Sequence, residues 1–147
     1  MAIGSLYMET TKKNPEQTIA EIQSVLKKLA VRNWLMDYGD DGEVDAVSFT
    51  LRNSEGVLFY RLPVNHNPLW QMAQQGKTKY IRDEIQARRV AWRQTLRWVE
   101  AQCALIAVGM ASAEEVFFPY MLLDDKQTVY EKFKSEGLNN YYLNGRE

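Results

Sequence analysis

The amino-acid sequence predicts an α+β fold: a small antiparallel three- to four-stranded sheet packed on one N-terminal helix and a long central helix, with short C-terminal helices closing one side. Two patterns and a size predict it. Over residues 33–64 apolar and polar positions alternate and turn residues interrupt the run twice, the mark of an antiparallel meander. On either side apolar residues recur every three or four positions, the spacing of helices with one buried face. The chain's 147 residues, 46% hydrophobic and 25% charged, suit one ordinary domain over 1–147 that buries a core without disulfides or metals.

From the N-terminus, "LYMET" (6–10) reads as a short first strand, and Met8 as an alternative start that makes 1–7 an extension. Asn14 followed by Pro15 is an N-cap with proline in the first turn, and Ile19, Ile22, Leu26 and Leu29 carry a helix over 15–30. Trp34, Met36 and Tyr38 then share one side of a strand ending at "GDDG". In the next strand Val47, Phe49 and Leu51 face one way and Ser48, Thr50 and Arg52 the other. "NSEG" turns the chain into "VLFYRLPV", closed by Pro63, where Phe59 and Arg61 oppose Leu58, Tyr60 and Leu62.

Asn67-Pro68 opens a short helix through Leu69, Trp70 and Met72, and "QQGKTK" breaks it. The long helix is expected over 79–110, interrupted at Gly109. Ser112 and Glu115 have capping-box spacing, Pro119 bends "FFPYMLL", Asp124 or Asp125 opens a last helix and Gly137 ends it. Residues 138–147 read as a flexible tail.

Composition excludes several function classes. A net charge of −1 gives no global attraction to nucleic acid or anionic membrane, so such binding must be local. No secretory signal and no apolar run of bilayer length is visible, which points to an intracellular protein without membrane contact. The single cysteine, Cys103, rules out an intramolecular disulfide and any CxxC motif. His66 is the lone histidine, and no GxSxG, HExxH, Walker loop or GxGxxG occurs, so a non-catalytic protein without a cofactor is expected. Catalysis by dispersed carboxylates stays open as an alternative, since strands can bring Asp and Glu together.

The chemistry-bearing stretch is "RRVAWRQTLRWVEAQ", residues 88–102. At helical spacing Ile85, Trp92, Leu96, Val99, Cys103, Ile106 and Met110 form one packed seam, with Trp98 and Leu105 on nearly the opposite side as core or subunit interface. Lys77, Lys79, Arg82, Arg88, Arg89, Arg93 and Arg97 stand against Asp83 and Glu84, a local charge of +5 that leaves −6 for the rest of the chain. Guanidinium groups suit phosphate and carboxylate alike, so these seven are the candidate contacts to nucleic acid or another anionic partner. The bland alternative is a solvated face with pairs such as Glu84–Arg88. Arg89→Glu with Arg93→Glu is expected to abolish function and leave the fold intact.

"DYGDDGEVD" (37–45) offers Asp37 and Asp41 as weak metal candidates, but Gly39 and Ser48 stand where a calcium loop needs ligands. A polar hairpin turn, or an acidic patch pairing with the arginine helix of a second copy, accounts for it as well. Helix, three strands, helix is also the order of double-stranded-RNA-binding domains, without the basic cluster at a helix N-terminus that those domains use.

The phrases "ETTKKNPEQTIAEIQSVL", "DAVSFTL", "FYRLPVN", "ARRVAWRQTLRWVEAQCALIAVGMASAEEVFFPYML" and "TVYEKF" resemble a family of small proteins encoded by bacteriophages and integrated elements. The resemblance covers about residues 8–133 and is most specific from Arg89 to Leu122. It implies a mobile-element protein in the cytoplasm of a bacterial host and carries no catalytic or binding residues with it. The first seven residues and the Asn- and Tyr-rich tail depart from the pattern. In that setting the expected function is an accessory protein that binds nucleic acid through the arginine-bearing helix. The alternative is an inhibitor of a host defence component, such as a CRISPR effector, acting by protein or nucleotide sequestration. Homo-oligomerisation through the long helix or its Trp98 face is a further expectation.

Overall fold

The computed structural model describes residues 6–140. Helix α1 (Pro15–Leu26) is followed by strands β1 (Trp34–Tyr38), β2 (Val44–Asn53) and β3 (Gly56–Arg61), the short helix α2 (Asn67–Gln74), the long helix α3 (Glu84–Ala107), and the short helices α4 (Ala113–Phe117) and α5 (Val129–Glu136). The strands form an antiparallel sheet in the order β1-β2-β3, so the fold is α+β as the alternation predicts.

Register explains the core. Trp34, Phe49 and Tyr60 lie side by side across the three strands, with Phe49 and Tyr60 stacked at 5.5 Å between ring centroids. Ile19, Ile22 and Leu26 of α1 and Trp92, Leu96 and Val99 of α3 close over this face, and Phe117 of α4 seals one end with its edge against Phe49. Each such side chain contributes about 1.5–3 kcal/mol of burial. The other face leaves Phe59 54% and Leu35 60% exposed. Ser48 and Thr50 also point that way, yet they are buried in the central strand between Leu35 and Arg61 and beside Phe59. No fourth strand forms among the described residues. Instead Leu122 N–H donates to Phe59 O at 2.7 Å and Met121 bridges Tyr60, covering the β3 edge with two residues of connector.

Several expected boundaries are corrected. Residues 6–10 make a turn, with Met8 at φ 63°, and the segment straps α3: Gln86 donates its amide to Glu9 O and Thr11 O, and Gln94 to Tyr7 O. Leu6 packs beside buried Ile81, so only residues 1–5 of the expected extension lie outside the described residues. Helix α3 begins at Glu84, not 79, because the Asp83 carboxylate caps Gln86 N–H at 2.8 Å and Ile81 is drawn into a satellite cluster with Ala87 and Val90. It ends at Ala107, which leaves Met110 beyond it and 73% exposed, and Ile85 in its first turn faces solvent at 60% exposed, so both fall off the expected seam. Helix α5 is opened by Thr128, whose capping box with Glu131 displaces Asp124 and Asp125 from that role. The Ser112–Glu115 capping box and the Gly137 stop occur where expected. Leu138–Asn140 form one 3-10 turn, and 141–147 of the expected tail lie outside the described residues.

Candidate nucleic-acid interface

The seven candidate cations divide into two groups, and the division follows from what the helices pack against. Arg93 sits on the α1-facing side of α3 and is 6% exposed. Its guanidinium donates to Thr18 Oγ1 at 3.2 Å and forms an ion pair with Glu21, both on α1. The hydrogen bond that Arg93 donates to Glu21, opposed in part by burial, holds the Glu21 carboxyl below the usual carboxylate range. Arg93 is therefore corrected from a ligand contact to a buried tie between helices, and Arg93→Glu is no longer expected to leave the fold intact.

Arg88 is consumed by the acidic turn of its own chain. Its Nη2 donates to Asp41 Oδ2 at 2.8 Å, and its Nη1 lies 3.5 Å from Asp45 Oδ1. Gly39 makes room for this latch: a Cβ there would lie 2.6 Å from Asp45 Oδ2. Glu84, one turn before Arg88, lies 3.9 Å from it and 3.0 Å from His66 Nε2. Two carboxylates of the patch expected to meet a neighbouring copy, Asp41 and Asp45, thus pair within the chain. Sequence reasoning missed His66 in this network, since nothing local ties a turn histidine to a glutamate 18 residues on. Asp41 also accepts from Glu43 N–H at 3.0 Å. Among the described residues no group of three or more His, Cys, Asp or Glu side chains is placed to hold a metal ion, the candidates Asp37 and Asp41 included.

Arg97 pairs with Glu100 at 2.7 Å, which raises its pKa, and half-buried Arg89 donates to Gln86 Oε1 at 3.2 Å. Trp98 is half-buried with edge contacts to Phe117 and Tyr120 at 5.8 and 5.4 Å, which places its ring against the chain's own α4 region rather than on an open face. Leu105 is half-buried near the end of α3. Half-buried Cys103 has its thiol pKa pushed up by burial.

Lys77, Lys79 and Arg82 are different. All three are exposed and none has an ion-pair partner among the described residues. They project from an irregular, bent segment between α2 and α3 that is fixed at three points. Thr78 Oγ1 donates to buried Glu9 at 3.1 Å, Ile81 is 2% exposed, and Asp83 caps α3. Tyr80 stands among them, 44% exposed, with Lys79 Nζ 5.2 Å from its ring centroid. A pinned run of cations beside an exposed aromatic ring can meet phosphates and stack on a base with little loss of freedom.

The helix–three-strand–helix order is realised with α1 and α3 on one face of the sheet, but the N-terminus of α3 carries Asp83 and Glu84, not a basic cluster. No helix among the described residues is long and apolar enough to cross a membrane. No family model, curated protein or solved structure matches the chain.

Proposed function

We propose that the protein is a non-catalytic accessory protein of a bacteriophage or integrated element, acting in the host cytoplasm by binding nucleic acid. One contrast supports the reading. Three of the four arginines on α3 are paired with the chain's own carboxylates, whereas Lys77, Lys79 and Arg82 flank exposed Tyr80 on a pinned segment and are free of ion pairs among the described residues. The binding surface is thereby narrower than the arginine helix and lies just before it. Arg89, the helix arginine bonded only to neutral Gln86, can add a contact at its border.

Anisotropy titrations of labelled single- and double-stranded DNA and RNA at low and physiological salt test it. Saturable binding that weakens steeply with salt and is lost in the Lys77→Glu/Lys79→Glu/Arg82→Glu variant is the expected result. Absence of binding at low salt, where phosphate contacts are strongest, rejects it.

The exposed Leu35 and Phe59 on the outer face of the sheet favour a second reading, an inhibitor of a host defence component that acts by protein contact. Such binding would change little with salt.

A further inference from the structure

The free edge of the sheet carries the strongest unassigned feature. In an antiparallel ladder alternate residues turn their N–H and C=O groups to opposite neighbours. Within β2, Val47 O accepts from Leu62 N–H at 2.9 Å on the β3 side, while Thr50 N–H donates to Asn33 O at 3.1 Å on the β1 side. Gly39 N–H, just past β1, donates to Glu43 O at 2.8 Å. Odd-numbered residues of β1 therefore face β2, and the backbone groups of Trp34, Met36 and Tyr38 point away from the sheet. The strand is Trp-Leu-Met-Asp-Tyr, whose single charge is Asp37 beside a bulge at Asp37/Tyr38; it has no lysine or proline, and Leu35 and Tyr38 are 60% and 63% exposed.

Charge is arranged about this edge with opposite signs at its ends. Arg32 is exposed just before β1 and Asp40 just after it, and neither has an ion-pair partner among the described residues. A second copy laid antiparallel with Met36 opposite Met36 uses all three outward-facing residues. It sets Trp34 opposite Tyr38 and, beyond the paired residues at both ends, brings the exposed Arg32 side chain beside Asp40, which stands in the turn that Gly42 N–H closes on Gly39 O. A slip of two residues in either direction loses the charge match and leaves part of the edge unpaired. From this self-complementarity we infer that the chain forms a two-fold dimer by pairing β1 with β1 of a second copy, joining two three-stranded sheets into one of six. The interface is isologous, and it lies on the sheet edge rather than on the Trp98 face of α3.

Sedimentation equilibrium on the full chain tests it with Arg32→Asp and Asp40→Arg, both at exposed positions outside the strands, with circular dichroism confirming that each variant folds. The wild-type protein is expected to dimerise. Each single variant sets like charges opposite each other twice and raises the dimer dissociation constant about tenfold. The Arg32→Asp/Asp40→Arg double variant, and an equimolar mixture of the two single variants, restore the dimer. A wild-type protein that stays monomeric at every concentration overturns the inference. So does a dimer indifferent to the single variants, or one that neither the double variant nor the mixture restores.

Discussion

Arg93 on α3 and Glu21 on α1 form an ion pair whose basic member is almost wholly buried and whose acidic member is half in solvent. The asymmetry makes Arg93 the sensitive partner. Removing Glu21 strands a buried guanidinium that keeps only the Thr18 hydroxyl, whereas a carboxylate left at Glu21 can turn to water. Arg93→Glu is worse than either, since it buries an unpaired carboxylate beside Glu21. Denaturant unfolding is expected to show a loss of about 3–5 kcal/mol for Arg93→Glu. Lys79→Glu, on the surface, should stay within about 0.5 kcal/mol. A fully stable Arg93→Glu protein would mean that the two helices do not depend on this tie.

The same pair sets part of the acid stability. The pKa of Glu21 is lowered chiefly by the hydrogen bond from Arg93, and that of Glu131 by the Thr128 backbone N–H in the capping box. A carboxyl whose folded pKa lies below its unfolded value of about 4.3 stabilises fully above that pH. The stabilisation is lost as pH falls through the depressed folded value. Urea midpoints measured downward from about pH 5 should therefore fall in the wild-type protein, and Glu21→Gln should lack part of that slope. The two curves are expected to converge in acid. Parallel curves would show that Glu21 titrates as it does in the unfolded chain.

Much of the fold was legible because its signals are local. The alternation around Phe49 and the two turns at "GDDG" and "NSEG" specify the sheet, and Asn14-Pro15 specifies the start of α1. The start of α3 was misplaced although Asp83 and Gln86 sit at cap spacing, because the basic run before it looks equally helical until Ile81 is seen to be buried elsewhere. The candidate site was less legible for a different reason. Seven cations in 21 residues read as one surface. Which of them are free depends on acids brought from far along the chain, such as Asp41, 47 positions from Arg88. Charge pairing at that separation leaves no periodicity to read.

Thr128 opens α5, is 7% exposed, and exchanges two hydrogen bonds with Glu131 at 2.8 and 3.1 Å. Thr128→Ala removes the acceptor for Glu131 N–H and should cost about 1–2 kcal/mol, the upper part of the range for caps because the site is buried. Thr128→Ser should recover most of it. If alanine and serine cost the same, the methyl group packed at this site matters and the cap does not.

The 77–82 segment offers few phosphate contacts, and this number constrains what binding must look like. Each phosphate neutralised contributes a slope of about −0.7 on single strands and −0.9 on duplex in a plot of log affinity against log salt. Three cations therefore predict a slope of about −2 to −3, far shallower than the value of about −5 to −6 that all seven cations of 77–97 would give. Charge reversal at Lys77, Lys79 and Arg82 should abolish the slope, while Arg97→Gln, which removes a cation already paired with Glu100, should leave it unchanged. Tyr80 then separates the ligands. Loss of the ring in Tyr80→Ala should cost about 1–3 kcal/mol on single strands, where an unstacked base can lie on it. Duplex offers no free base face, so the same variant should bind it as the wild-type protein does. Equal losses on both would make Tyr80 a support for the lysines instead of a stacking surface. A slope of about −5 to −6 would return the arginines of α3 to the interface and require the Arg88 latch on Asp41 and Asp45 to open on binding.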